Sequence, residues 1–120
     1  MTTQVERYQS TGRDFMARAW DYLADGDLRQ ASEKGWGAAA QMVKCVAHRR
    51  RWQHRSHQSL FTVIDRLAEE AGDRRLGILF HAANSLHINF YEGWMSPRLV
   101  RDGLSQVSEL VDRLGALLDD

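Results

Sequence analysis

The chain has 120 residues, 43% of them hydrophobic, and its sixteen basic side chains are balanced by sixteen acidic ones. This length is typical of one domain with its own hydrophobic core. A neutral charge balance argues against a protein that coats nucleic acid through excess positive charge, although it leaves room for a local basic patch. The single cysteine cannot form an intramolecular disulfide bond, so nothing indicates an oxidising compartment.

The sequence carries no signal for export or for membrane insertion. Residues 1–10 are polar and lack the apolar segment of a secretory signal. No apolar run approaches the ~20 residues that a bilayer-spanning helix needs. We therefore expect a cytoplasmic protein that does not enter a membrane.

The first half of the chain predicts two amphipathic helices. An apolar stripe at helical spacing covers residues 5–23, and Gly26 fits the position just after a helix end, where a positive φ is common. Asp27 is the expected N-cap of a second helix over about residues 28–50, with Gln30 completing a capping-box pattern. The inner face of this second helix is rich in small residues, which would allow close approach of another helix.

Three further helices follow from the pattern of apolar residues, and no alternating run predicts a strand. Their expected caps and breakers are Ser56 or Ser59, Gly72, Asp73, Ser96 and Pro97. The predicted fold is an all-α, up-and-down bundle of about five helices that forms a single domain over residues 1–120.

A basic connector between the second and third helices is the first candidate site. Four arginines and a tryptophan could attract phosphates and stack a base, and three histidines lie close by. The alternative is that these cations only complement the C-terminal end of the second helix dipole. The residues concerned are Arg49, Arg50, Arg51, Trp52 and Arg55.

Two adjacent charged residues inside the second helix are the second candidate. Glu33 and Lys34 point about 100° apart on a helix, yet both could line one edge of a groove. The alternative is a solvated edge on which Glu33 pairs with Arg29, four residues earlier.

The fourth helix concentrates polar groups in a short segment. Asn84, His87 and Tyr91 share one face through i, i+3 and i+4 spacing, and His87 lies on the apolar stripe. A histidine held by an amide at the edge of a groove could act as a general acid or base. The alternative is a buried polar network that sets the register of the helices.

The search for a metal, a nucleophile and a cofactor yields little. Cys45, His48, His54 and His57 are close in sequence but match no standard zinc spacing, so we expect no metal. Cys45 lies near the inner stripe, which favours a packed thiol over a reactive one. No phosphate loop or dinucleotide-binding glycine pattern is present, and no cofactor is expected.

Two segments carry a family resemblance that covers nearly the whole chain. Residues 26–40, GDLRQASEKGWGAAA, resemble the second-helix signature of PaREP-type proteins, and residues 86–92, LHINFYE, resemble their later motif in the same order. These proteins are relatives of the HEPN domain, a nucleotide-binding helical domain of higher eukaryotes and prokaryotes. His57, after Ser56 and before an apolar helix, resembles a conserved histidine of HEPN domains.

The resemblance implies a four- or five-helix bundle that is commonly dimeric and is often paired with a nucleotidyltransferase. Some HEPN domains are RNases of toxin–antitoxin systems and use an arginine that is separated from a histidine by four to six residues. His87 is the equivalent histidine here, but the preceding positions hold Phe80, His81 and Ala82. The expected arginine is absent, so the resemblance favours binding without catalysis.

The leading hypothesis from the sequence is a polar groove that binds a nucleotide, an RNA segment or a partner protein. Lys34 and His57 would meet phosphate, Asn89 and Glu92 would read a base or sugar, and His87 would orient them. One alternative is a metal-independent RNase with His87 or His81 as general acid or base, and another is a homodimeric interaction subunit. The predicted groove residues are Glu33, Lys34, His57, Asn84, His87, Asn89 and Glu92.

Overall fold

Five helices and no strand make up the computed structural model, which describes residues 1–119. The predicted all-α bundle is confirmed. The helices are α1 (Gln4–Ala24), α2 (Leu28–Arg49), α3 (His57–Ala71), α4 (Arg75–Glu92) and α5 (Pro97–Leu117).

The helix ends follow the local signals in the sequence, with one difference. The Asp27 carboxylate caps α2 by accepting a hydrogen bond from the Gln30 backbone N–H, 3.1 Å away. Ser56 and Ser59 form a reciprocal capping box at the start of α3. Asp73, the expected N-cap of α4, lies one residue too early, although its carboxylate still accepts from the Arg75 N–H at 3.1 Å.

Helix α2 is the centre of the bundle and contacts all four other helices. Its small residues permit this closeness. A Cβ added at Gly35 would lie 2.5 Å from a Leu104 methyl, and one added at Gly37 would lie 2.9 Å from the Phe15 ring. Both glycines therefore have a packing reason that offsets their poor helix propensity.

Consecutive helices run antiparallel at every joint except one. Trp36 of α2 stacks on His57 at the start of α3, and Arg50 at the end of α2 reaches Glu70 at the end of α3, so these two helices run in the same direction. The second half of α2 is about 20 Å long at 1.5 Å per residue. A seven-residue connector over residues 50–56 can span about 24 Å and returns the chain along that length.

The return of the connector decides what lies beside the middle of α2. The connector places the first residues of α3 there, whereas a short chain reversal would have left them near Arg49. Helix α4 packs antiparallel to both α2 and α3, with Phe80 near Trp36 and Phe61. No helix within residues 1–119 has the length and apolarity that crossing a bilayer requires.

Candidate functional site

Two histidines from different helices lie side by side against one tryptophan. The Trp36 ring stacks on the His57 imidazole, with centroids 4.8 Å apart, and on the His87 imidazole, with centroids 4.9 Å apart. The two imidazole centroids are 5.5 Å apart and their planes differ by 30°. We call His57 and His87 the imidazole pair.

The three centroid distances show that both imidazoles cover the same face of Trp36. Rings on opposite faces of the indole would be separated by nearly twice the stacking distance, whereas the observed separation is 5.5 Å. Trp36 is only 8% exposed, so the indole is a buried support for the imidazole pair. The pair therefore forms a platform whose outer side faces away from the core.

Each imidazole has one polar partner within the site. His57 Nε2 lies 2.9 Å from Asn84 Oδ1, and because an amide oxygen only accepts, Nε2 carries the proton and Nδ1 remains an acceptor. His87 Nδ1 lies 3.4 Å from Glu33 Oε1 and is buried without a hydrogen bond. Glu33 therefore favours a proton on Nδ1, which leaves Nε2 of His87 as the basic nitrogen.

The imidazole pair is partly open to solvent. The His87 side chain is 27% exposed and that of Glu33 is 29% exposed. Tyr91 packs edge-on against His87 with a centroid distance of 5.5 Å, and it is 65% exposed. The accessible part of this surface thus combines an imidazole edge, a carboxylate and an aromatic face.

Two of the predicted groove residues are engaged away from the imidazole pair, and a third lies at the end of α4. The Lys34 ammonium lies over the Phe15 ring of α1, 4.3 Å from its centroid, and so faces away from the imidazole pair. Asn89 is 1% exposed; it donates to Ser32 Oγ and accepts from the Met95 N–H, both at 2.9 Å. Glu92 is exposed in the last turn of α4. The Lys34 ammonium is thus placed apart from the imidazole pair, and both ends of the Asn89 amide are engaged within the protein.

The basic connector is divided between structural and unpaired arginines. Arg50 is engaged with Glu70 at 2.8 Å, while Arg66 of α3 stacks on Trp52 at 3.9 Å from the ring centroid. Three others form no ion pair within residues 1–119 and lie at the surface. They are Arg49, Arg51 and Arg55.

The cysteine and the two remaining connector histidines take part in packing near α1. Cys45 is buried, donates to the Val5 carbonyl and has a pKa raised by that burial, as expected for a packed thiol. His48 and His54 pack edge-on around Tyr8, and burial lowers the pKa of His54. Within residues 1–119 no group of three or more potential ligands is arranged to hold a metal ion.

Sequence reasoning did not include Arg29 and Trp36 in this surface. Arg29, Glu33 and Trp36 have i, i+4 and i+7 spacing and share one face of α2, which is the signal that could have identified them together. The Arg29 guanidinium lies over Gly93, just after α4, where an added Cβ would lie 2.6 Å from Arg29 Nε. Glu33 faces His87. Within residues 1–119 it forms no ion pair with Arg29, which was the alternative that the sequence offered.

A family model describes most of the chain. The model of the archaeal PaREP1/PaREP8 family matches residues 8–111, which include both signature segments and every member of the site. The chain belongs to the archaeal PaREP1/PaREP8 family. The predicted PaREP-type resemblance is therefore confirmed, and the motifs of this PaREP chain lie on α2 and α4, where they face each other.

A solved structure has the same fold as this PaREP chain. The crystal structure of a protein from Sulfolobus solfataricus is similar with a TM-score of 0.75 and 24% sequence identity, over 98% of each chain. At this identity the likeness concerns the fold. A comparison with curated proteins finds no match.

Proposed function

We propose that this protein binds a nucleotide or an RNA segment at the imidazole pair. The observation that carries the proposal is the placement of His57 and His87 side by side on Trp36, with centroids 5.5 Å apart and an edge open to solvent. Two packed apolar residues would stabilise the bundle at these positions without polar partners. Imidazoles there are better explained by a ligand that uses their ring nitrogens.

The chemistry of the pair suits a phosphate group. Protonated imidazole donates from both ring nitrogens, and phosphate oxygens are strong acceptors of charge-assisted hydrogen bonds. Glu33 lies on the Nδ1 side of His87, 3.4 Å from that nitrogen, which leaves the Nε2 side of the ring for a ligand.

The aromatic rim suits a base. Tyr91 is 65% exposed although it lies next to His87, and exposed aromatic faces on nucleic-acid-binding proteins stack bases with little sequence preference. Asn84 holds His57 by its amide oxygen, and its amide N–H groups remain free to donate. A phosphate on the imidazole pair and a base on Tyr91 would together select a nucleotide over a simple anion.

The test is binding of a fluorescein-labelled single-stranded RNA and of nucleoside monophosphates, measured by anisotropy and by calorimetry. His57→Gln and His87→Gln keep polar side chains of similar size but cannot become cationic. Each should weaken binding by about tenfold, the effect of one charge-assisted hydrogen bond.

His48→Gln is the matched control, because His48 packs against Tyr8 near α1, apart from the imidazole pair. It should leave affinity unchanged. Equal effects of His48→Gln and His87→Gln would show a non-specific loss of positive charge. Absence of binding by the wild-type protein to RNA and to every nucleotide would refute the proposal.

A second candidate function is metal-independent RNA cleavage. The two imidazoles could remove a proton from a ribose 2′-hydroxyl and donate one to the leaving 5′-oxygen, as an O2′–P bond forms and the P–O5′ bond breaks. The Glu33–His87 contact at 3.4 Å favours this, because a carboxylate beside Nδ1 holds the imidazole in one orientation with Nε2 free for proton transfer. Against it, Arg75 is bound to Glu109 and Arg51 lies at the connector, so neither supplies the missing arginine.

Cleavage of labelled RNA in excess EDTA would distinguish the two functions. An enzyme should release a 2′,3′-cyclic phosphate product, and both His57→Gln and His87→Gln should abolish it. His81→Gln tests the other histidine named as an acid or base. If the protein binds the RNA and does not cleave it, the binding function stands and the RNase function is refuted.

Association of two copies is a further proposal that fits the surface next to the site. Four large apolar side chains around the end of α4 and the start of α5 are 42% to 69% exposed. They are Ile88, Tyr91, Trp94 and Leu99. Apolar surface of this kind often marks protein contacts. Light scattering after size exclusion should show a dimer that Trp94→Glu disrupts; a wild-type monomer would contradict the proposal.

A further inference from the structure

A cavity lies on the opposite side of α3 from the imidazole pair. Its volume is about 510 Å³, which is within the range of small-molecule sites. Residues of α3 that line it are rotated about half a turn from His57, so the cavity opens on the connector. The lining residues are Arg51, Trp52, Gln53, Ser56, Gln58, Ser59, Thr62, Val63 and Arg66.

Two guanidinium groups border this cavity. Arg66 is held in place by stacking on Trp52, 3.9 Å from the ring centroid, and its Nε bonds to Glu70, so its terminal nitrogens remain available. Arg51 forms no ion pair within residues 1–119. A planar guanidinium presents parallel N–H groups that match two oxygens of a phosphate.

Two uncharged lining residues can add hydrogen-bond donors to those of the arginines. Gln53 already uses its side-chain oxygen to accept from the Arg55 N–H at 3.1 Å, so its amide N–H groups are what it can offer. The Ser56 hydroxyl accepts from the Ser59 N–H and keeps its own hydrogen to donate, whereas Ser59 and Thr62 already donate theirs to the carbonyls of Ser56 and Gln58. None of the lining residues is acidic. A cavity bordered by two guanidinium groups, with these added donors and no acidic lining residue, is suited to an anion.

We propose that the cavity between Arg51 and Arg66 is a phosphate-binding site distinct from the imidazole pair. The volume exceeds that of a phosphate ion, so the phosphate belongs to a larger molecule with room for a sugar. Two sources share this chemistry, namely a free phosphorylated metabolite of nucleotide size and the backbone of an RNA strand that passes over the connector.

Arg51 offers an unusually clean variant for the test. Its backbone has φ of 62°, a left-handed conformation that glycine adopts without the steric cost of a side chain. Arg51→Gly should therefore remove the guanidinium while leaving the melting temperature equal or higher. Arg66→Gln is the second variant, and Arg13→Gln, at an exposed position on α1, is the matched loss of one positive charge.

The experiment is calorimetric titration with ribose 5-phosphate, AMP, adenosine and a short single-stranded RNA. Phosphate-bearing ligands should bind and adenosine should not. Arg51→Gly and Arg66→Gln should each weaken binding by about tenfold or more, whereas Arg13→Gln should not. A loss confined to RNA identifies the RNA backbone as the source, and a loss seen with ribose 5-phosphate identifies a free metabolite.

Failure here can be distinguished from failure of the proposed function. If His87→Gln lowers affinity but Arg51→Gly and Arg66→Gln leave every ligand unaffected, the connector site is refuted and the imidazole pair stands. If the arginine variants lose binding and the histidine variants do not, the connector site stands alone. Equal losses in Arg51→Gly and Arg13→Gln would show charge attraction without a site and overturn the inference.

Discussion

Asn89 provides the strongest test of how polar groups on α4 divide between architecture and function. Its side chain is 1% exposed; Nδ2 donates to Ser32 Oγ, and Oδ1 accepts from the Met95 N–H, both at 2.9 Å. Ser32 in turn donates to the Leu28 carbonyl at 2.7 Å. This chain of hydrogen bonds ties α2 to α4 and holds the turn that leads into α5.

We expect Asn89→Ala to lower the free energy of unfolding by about 3 kcal/mol. Two hydrogen bonds contribute about 1 kcal/mol each, and the unsatisfied Met95 N–H together with the small cavity adds about 1 kcal/mol more. Urea denaturation followed by far-ultraviolet circular dichroism measures the difference. A coupling of about 1 kcal/mol with Ser32→Ala is expected in a double-mutant cycle.

Asn84→Ala is the matched control, because it removes the same amide from the same helix at a more exposed position. Its amide contacts the exposed His57 at 2.9 Å, so the expected loss is below about 1 kcal/mol. A loss below about 1 kcal/mol for Asn89→Ala would refute the structural role. Asn89 would then return to the set of ligand-binding residues.

Two further predictions concern packing and pH. Gly35→Ala should lower the free energy of unfolding by about 1–2 kcal/mol, because the new Cβ would lie 2.5 Å from Leu104. Gly77→Ala, where a new Cβ has no neighbour within 4 Å, should raise it by up to about 1 kcal/mol. Similar melting temperatures for the two variants would contradict this prediction. Hydrogen bonding and charge attraction from Arg75, assisted by Arg113, lower the pKa of Glu109 to about 2 from 4.5. A depressed carboxyl pKa stabilises the fold above pH 4.5, and this stabilisation disappears as the pH falls to about 2. The melting-temperature gap between wild type and Glu109→Gln should therefore close over that window, and a constant gap would disprove the assignment.

Local signals predicted the helices because they act over a few residues. Asp27 is followed by its capped N–H three positions later, and Pro97 begins α5 directly after Ser96. These contacts do not depend on where the rest of the chain lies. Asp73 shows the limit of such signals, since a shift of one residue moved the N-cap to Arg74 while the carboxylate kept a nearby N–H.

The structure brings some of the predicted groove residues together and separates others according to helix geometry. Glu33, Asn84 and His87 lie at the site, whereas Asn89, two residues after His87, points about 200° away and into the core. Lys34 is rotated about 100° from Glu33 and reaches α1 instead. Which of these faces was open could not be predicted without the neighbouring helices.

The sequence by itself determined the all-α class, the helix ends, the small-residue face of α2 and the family. Only the tertiary structure decided that His57 and His87, thirty residues apart, share one face of Trp36. The physical reason is the connector over residues 50–56, which returns along α2 so that α3 begins beside Trp36. The path of this connector depends on packing between helices that are distant in the sequence, and no local sequence pattern specifies that packing.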